Sequence, residues 1–189
     1  MRGARALDWL HPTHVEPVRS VPHSSAAEAC RRDGLLVEVW PGVLRARDLT
    51  PGPGERVDAV RAFVPRGGVL ARQSAVWVHT GASRPDRLDV VLTGTRHRST
   101  GMVRVHAERL AEHDVVHVGG APVTAPARTA VDVARWCPPR DVAAWVGALA
   151  RSGLTGAEVA VALETATGLP GVSRARELLA RALPVPLSR

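Results

Sequence analysis

Residues 67–136 decide how this chain folds, because three unlike patterns follow one another there. The first is Gly67-Gly68-Val69-Leu70-Ala71-Arg72-Gln73-Ser74-Ala75-Val76-Trp77-Val78-His79-Thr80-Gly81, which reads as a helix over 71–80 stopped by a glycine. Next come two alternating apolar stretches expected to pair as hairpins, Leu88–Leu92 with Val103–His106, and Asp114–Val118 with Ala121–Thr124. The third is Pro126-Ala127-Arg128-Thr129-Ala130-Val131-Asp132-Val133-Ala134-Arg135. Proline suits the first turn of a helix, and Ala127, Ala130, Val131 and Ala134 stand at i, i+3, i+4 and i+7, which predicts one buried face. On that reading Arg128 and Arg135 lie outside the face, and Arg128 with Asp132, four apart, forms a surface ion pair.

Working outward from this stretch, Val142, Trp145, Val146 and Leu149 make one apolar helix face that stops at Gly153. Thr155-Gly156-Ala157-Glu158 is a capping box opening a helix with Val159, Leu163 and Ala166 inward. A last helix is expected from Pro170 to Leu183, ended by Pro184. Toward the N-terminus, Val57, Val60 and Val64 follow a helical stripe, and residues 48–55 (Asp-Leu-Thr-Pro-Gly-Pro-Gly-Glu) read as a linker. Before the linker, Ser25-Ala26-Ala27-Glu28 reads as a capping box for a helix over 26–33, closed by Gly34. Leu35–Val39 and Val43–Ala46 then form a hairpin across Pro41-Gly42. An early helix over Ala4–Leu10 and a Pro- and His-rich link precede it. A capped helix followed directly by a hairpin is the back half of a winged helix-turn-helix, in which the helix enters a groove and the hairpin is the wing. The fold class is therefore α+β: a shortened winged helix-turn-helix over 1–50, then a mixed domain of small β-hairpins and a helical C-terminal bundle over 56–189.

Composition sets bounds on function. The chain has 189 residues and a formal net charge of +7, and contains no Lys, Asn, Ile or Tyr. These absences share AT-rich codons, so a GC-rich genome explains why arginine stands where lysine would. Codon bias does not create a surplus of bases over acids, and that surplus is permissive for nucleic acid. The absence of lysine excludes a P-loop lysine, a Schiff base and the lysine of a PD-(D/E)xK nuclease; the absence of tyrosine excludes a tyrosine nucleophile. No apolar run reaches the ~18 residues that span a bilayer. The start of the chain lacks the apolar core of a signal peptide, and Cys30 and Cys137 sit alone in distant segments, so a reducing cytoplasm is expected.

Two sets of arginines are candidate DNA contacts. Arg31 and Arg32 end the helix before the hairpin, and Arg45 and Arg47 flank the outgoing strand, positions that meet phosphates in a winged helix. Residues 1–50 hold seven arginines against six acids, which equally describes a solvated face. Arg96, Arg98 and Arg104 make the densest positive stretch, on what should be a hairpin tip able to follow a phosphate backbone or simply to be solvated. His97, His106, His113 and His117 are spread over different segments without metal-ligand spacing, and no nucleophile–base set is present, so no metal, cofactor or catalytic residue is expected. His79 is expected to pack at its helix end against the last carbonyls.

The order of patterns from Gly67 to Arg135, within a likeness that extends from about Ser24 to Leu183, resembles the AbiEi family of type IV antitoxins. The family commonly has Ser where Ala125 stands, so this chain loses a helix cap there unless Thr124 substitutes. The resemblance implies a winged helix that binds the protein's own promoter in double-stranded DNA and represses it. It also implies a second domain that counteracts a nucleotidyltransferase toxin without forming a stable complex with it. Many actinobacterial members continue into an endonuclease-like C-terminal domain; this sequence stops about where that domain would begin, so no nuclease activity is implied. A protein-interaction module that kept the fold and lost DNA binding is the alternative.

Overall fold

The computed structural model describes residues 24–93 and 99–183. The helix expected over Ala4–Leu10, Arg96, Arg98, His97 and the stop at Pro184 lie outside the described residues. The chain divides between Thr50 and Pro51 into two compact units.

In the first unit, helix α1 (Ser25–Arg32) is followed by strands β1 (Leu36–Trp40) and β2 (Val43–Ala46), paired antiparallel. Ser24, not Ser25, is the N-cap: its Oγ accepts the Ala27 N–H at 3.1 Å. The expected box with Glu28 is displaced because Glu28 lies beyond the third helical position from that cap and instead takes the Arg31 guanidinium. Trp40 and Leu44 are fully buried, and Leu36, Val37 and Val39 are half-buried.

The second unit begins with α2 (Pro53–Val60), so the predicted linker already becomes helical at Pro53, with Glu55 accepting the Gly52 N–H at 2.7 Å. Val57 and Val60 are fully buried, as their spacing requires. Two residues, β3 (Val69–Leu70), then start a five-stranded sheet with β4 (Leu88–Leu92), β5 (Val103–Ala107), β6 (Val115–Val118) and β7 (Ala121–Thr124), in the order β5-β4-β3-β7-β6. β6 and β7 form the expected hairpin. β4 and β5 do not: they run parallel, with Leu88 opposite Val103 and Leu92 opposite Ala107. A hairpin needs only a tight reversal, whereas residues 93–102 separate these two strands. All five residues of β4 are buried, as in a strand covered on both faces.

The helices are α3 (Arg72–Thr80), α4 (Pro126–Trp136), α5 (Pro139–Arg151), α6 (Gly156–Thr165) and α7 (Val172–Ala182). α3 ends as predicted at Gly81, whose φ of +76° is the left-handed conformation glycine adopts without steric cost. α6 carries the predicted Thr155–Glu158 box. α4 lies at the centre of the helical layer, and its Ala130, Val131 and Ala134 are fully buried with Val146, Leu149 and Ala175 in one apolar cluster. Its burial is not confined to one face, however: every residue from Arg128 to Arg135 is buried. Arg128 and Arg135 are 5% and 3% exposed, against the expectation that they face solvent.

Candidate functional site

The arginines of the first unit separate by environment. Arg31 and Arg32 are exposed in the last turn of α1, where positive charge favours the helix C-terminus. Arg31 is held by Glu28 through Nε at 2.9 Å, and that hydrogen bond raises its pKa above the ordinary value. Arg47 is exposed just beyond β2, where its N–H donates to Leu35 O at 2.9 Å. Its Nη1 would lie 3.2 Å from a Cβ added at Gly34, so the guanidinium covers the end of α1. Arg31, Arg32 and Arg47 are thereby gathered at one end of the helix–hairpin unit. Arg45 is only 4% exposed, a placement from which a side chain reaches a phosphate only if its surroundings rearrange.

Arg104 stands on β5, not on a hairpin tip, because β4 and β5 are parallel. It is half-exposed and lies 3.2 Å from Asp89 Oδ1. Asp89 is buried; its Oδ1 also contacts His106 Nε2 at 2.8 Å, and its N–H donates to Ser74 Oγ at 2.7 Å. His106 is thus committed to a carboxylate. His113 is exposed, 3.8 Å from Asp114 Oδ1, and His117 is exposed on β6. Among the described residues no group of three His, Cys, Asp or Glu side chains comes together that could hold a metal.

The strongest electrostatic cluster is one that the sequence places on the surface. Arg128 donates through Nε to Asp132 at 2.9 Å, through Nη1 to Asp114 at 2.7 Å and through Nη2 to Glu108 at 2.9 Å. Arg135 Nη1 joins Glu108 at 2.6 Å to Asp132 at 2.8 Å, and its Nε donates to Pro170 O at 2.9 Å. Burial lowers the Arg128 pKa, and the carboxylates of Asp132, Asp114 and Glu108 more than reverse this, leaving it raised. Burial pushes the Asp132 carboxyl upward, opposed by Arg128 and Arg135. Such a cluster fixes α4 against the segment 108–114 and against α7's entry; it has no free nucleophile or base. The spacing of Arg128 and Asp132 does announce their contact, but Glu108 and Asp114 carry no local signal that they would close over it.

His79 packs at the end of α3 as expected, with Nε2 2.8 Å from Thr124 O, a carbonyl of β7 and not of its own helix. Burial is the main cause lowering its pKa, so the neutral ring donates to that carbonyl. Thr124 does not cap α4: its hydroxyl pairs with Thr129 Oγ1 at 2.7 Å, and Ala125 stands at the N-cap with no side-chain hydrogen bond to offer. Neither cysteine is in a disulfide, and burial pushes the Cys137 thiol up to about 11. No single helix among the described residues is long and apolar enough to cross a membrane.

Compared with known proteins, residues 66–181 match the AbiEi antitoxin C-terminal domain. No curated protein matches the chain significantly. Among solved structures, the chain is similar to the RV2827C protein from Mycobacterium tuberculosis, at 20% identity and a TM-score of 0.46, over 84% of this chain and 64% of that one. The chain thus spans somewhat less than two thirds of that protein's length. The domain match covers more than half of the present chain and includes β3, the whole of the sheet and helices α3 to α6 with nearly all of α7. The chain belongs to the AbiEi antitoxin family.

Proposed function

We propose that this protein is an antitoxin of the type IV kind that binds duplex DNA at its own promoter and represses it, with no catalytic activity of its own. A nucleotidyltransferase toxin is its functional counterpart, opposed without a stable complex, and both act in the cytoplasm. The family domain supports the antitoxin role. The observation that carries the DNA reading is the succession of α1, β1 and β2 with Arg31, Arg32 and Arg47 exposed at one end. On this reading α1 is the recognition helix and the hairpin its wing, and their cations would meet both flanking backbones. The absence of lysine and the protonated state of Cys137 support a non-enzymatic role.

A second reading has its own support. Arg45 is buried, Arg31 is tied to Glu28, and the first 50 residues carry a net charge of only +1, from seven arginines and six acids. A protein-interaction module with the same fold would look like this. Titration of the upstream DNA of the gene separates the two. Binding through phosphates should weaken with salt, by a logarithmic slope of about −0.9 per phosphate neutralised. The triple variant Arg31→Ala, Arg32→Ala, Arg47→Ala should lose more affinity than Arg96→Ala, Arg98→Ala, Arg104→Ala. A larger loss in the second variant moves the DNA surface to the second unit. No salt-sensitive binding by the folded wild type leaves the interaction-module reading.

A further inference from the structure

A cavity of about 420 Å³ opens in the second unit, lined by Arg72, Ser83, Asp89, Arg104, Trp136 and Trp145 among others. Arg72 and Ser83 are the two non-glycine residues with left-handed backbone among those described, at φ of +49° and +50°. Residues held in that region at a cost in energy concentrate at ligand-binding places, and here both stand on one wall. Arg72 is also the first residue of α3, whose N-terminus has neither a capping side chain nor an acid in its first turn, so its free N–H groups favour an anion.

The guanidinium of Arg72 is the group in search of a partner. It is largely withdrawn from water, which pulls its pKa below the ordinary value. Its Nε is buried without a hydrogen-bond acceptor, and the guanidinium lies over the Trp136 ring, 5.2 Å from the centroid. The acids around it are engaged elsewhere: Asp89 by Arg104 and His106, Asp132 and Glu108 by Arg128 and Arg135. Asp141, on the cavity wall, has Arg140 3.9 Å away. Asp89, Asp132 and Glu108 attract the half-buried guanidinium, but its buried Nε has no acceptor, and an anion in the cavity would supply one. Arg104, half-exposed beside the same space, adds a second fork, and the Ser83 side chain adds a hydroxyl. Trp136 is 43% exposed on the cavity wall, and its ring carries both Arg72 and Arg135, 5.2 and 5.0 Å from the centroid, which holds the Arg72 guanidinium beside the cavity.

We propose that this cavity binds the phosphate of a nucleotide, with Arg72 forking onto the phosphoryl oxygens, Arg104 flanking them and Trp136 bordering the base. Planar guanidinium forks match phosphate oxygens two at a time, and a cavity of this size accommodates a mononucleotide with room beyond a bare carboxylate. The site lies wholly within the second unit and stands independently of promoter binding by the first. The nucleotide is either free or a unit of a nucleic-acid strand.

The full chain is titrated with AMP, adenosine, acetate and a short DNA duplex, following tryptophan fluorescence and heat. AMP should bind saturably, with adenosine and acetate at least about tenfold weaker. Arg72→Ala should weaken AMP by about tenfold or more, and Arg72→Lys, which keeps the charge but loses the fork, by less. Arg176→Ala, on the exposed face of α7, should bind as wild type. Duplex binding weakened in Arg72→Ala and competed by AMP assigns the phosphate to a nucleic-acid strand; AMP binding weakened in Arg72→Ala with an unaffected duplex assigns it to a free nucleotide. Should Arg72→Ala fail to fold, Arg72→Lys and Arg104→Ala carry the comparison. The site is refuted if neither AMP nor duplex depends on Arg72, if adenosine binds as well as AMP, or if no phosphate-bearing probe binds by about 10 mM.

Discussion

Arg128→Ala should remove a large part of the stability of the second unit. The side chain makes three charge-assisted hydrogen bonds, to Asp132, Asp114 and Glu108, whose side chains are 1%, 11% and 13% exposed. Its removal leaves three carboxylates to one remaining cation of the cluster, Arg135, which reaches only Glu108 and Asp132. Breaking a buried pair by deleting one partner costs about 3–5 kcal/mol, because the charges left behind stay desolvated. A domain stable by about 5–15 kcal/mol would keep its fold only marginally. Urea unfolding followed by circular dichroism at neutral pH measures the loss. Acid adds a second criterion. Without Arg128, Asp132 loses an attraction that opposed the effect of burial, so its carboxyl moves further above its ordinary value. A carboxyl with a higher pKa in the folded chain holds its proton preferentially when folded, so that contribution is present at low pH and lost as pH rises through the folded pKa. The gap between variant and wild type should therefore narrow as pH falls. A loss below about 1 kcal/mol, or a gap that widens in acid, refutes the assignment of this cluster as the clamp on α4.

Val131→Asp places an unpaired charge at a fully buried position of α4 and should cost several kcal/mol, abolishing cooperative melting; an unchanged melting temperature would overturn the packing described. Gly68→Ala should cost about 1–3 kcal/mol, since its Cβ would stand 2.6 Å from Val90 Cγ1 and 2.9 Å from Pro65 O, and thermal unfolding reads the loss directly. The lowered pKa of His79 means that the unfolded chain takes up its proton first; the stability from the neutral ring is present above its ordinary pKa of 6.5 and is lost as pH falls toward the folded value. Replacing His79 with Gln should flatten the stability profile over that interval, and parallel profiles for the two proteins would remove the ring from the account.

The parts of this fold that were legible in the sequence are those written by neighbours along the chain. The stop of α3 at Gly81, the Thr155–Glu158 cap, the hairpin at Pro41-Gly42 and the apolar spacing of α5 each depend on residues a few positions apart. The displaced cap of α1 shows how fine that limit is, since two adjacent serines offer equivalent hydroxyls. What could not be read is set by partners distant in sequence. β3 has two residues, too few for a periodicity, yet Leu70 pairs with both Val90 and Val123 and so unites what looked like separate hairpins. Strand direction for β4 and β5 follows from where that sheet is entered, not from their composition. The burial of Arg128 and Arg135 depends on Glu108 and Asp114 arriving from another segment. Among the candidate DNA contacts, the sequence places Arg31 and Arg32 at the end of α1 and Arg47 after β2, but it could not reveal that Arg47 meets the end of α1 or that Arg45 turns inward. Arg72, which borders the cavity, is one of many arginines in a lysine-free chain, and nothing local distinguishes it.

The way α2 is fastened bears on where the working domain begins. The family match starts at residue 66, after α2 has ended. Yet Arg56 Nε donates to Val78 O at 3.0 Å, at the end of α3, and its Nη1 donates to Pro51 O. Gly119, in the turn between β6 and β7, approaches Gly54 so closely that a Cβ would lie 3.0 Å from its Cα, and Arg61 donates to Gly119 O. A fragment cut at residue 66 would uncover the apolar surface that Val57 and Val60 cover and deprive the Val78 carbonyl of α3 of its Arg56 donor. The independently folding piece should therefore start near Pro51, and an activity assay on the shorter fragment would report misfolding rather than loss of a functional group.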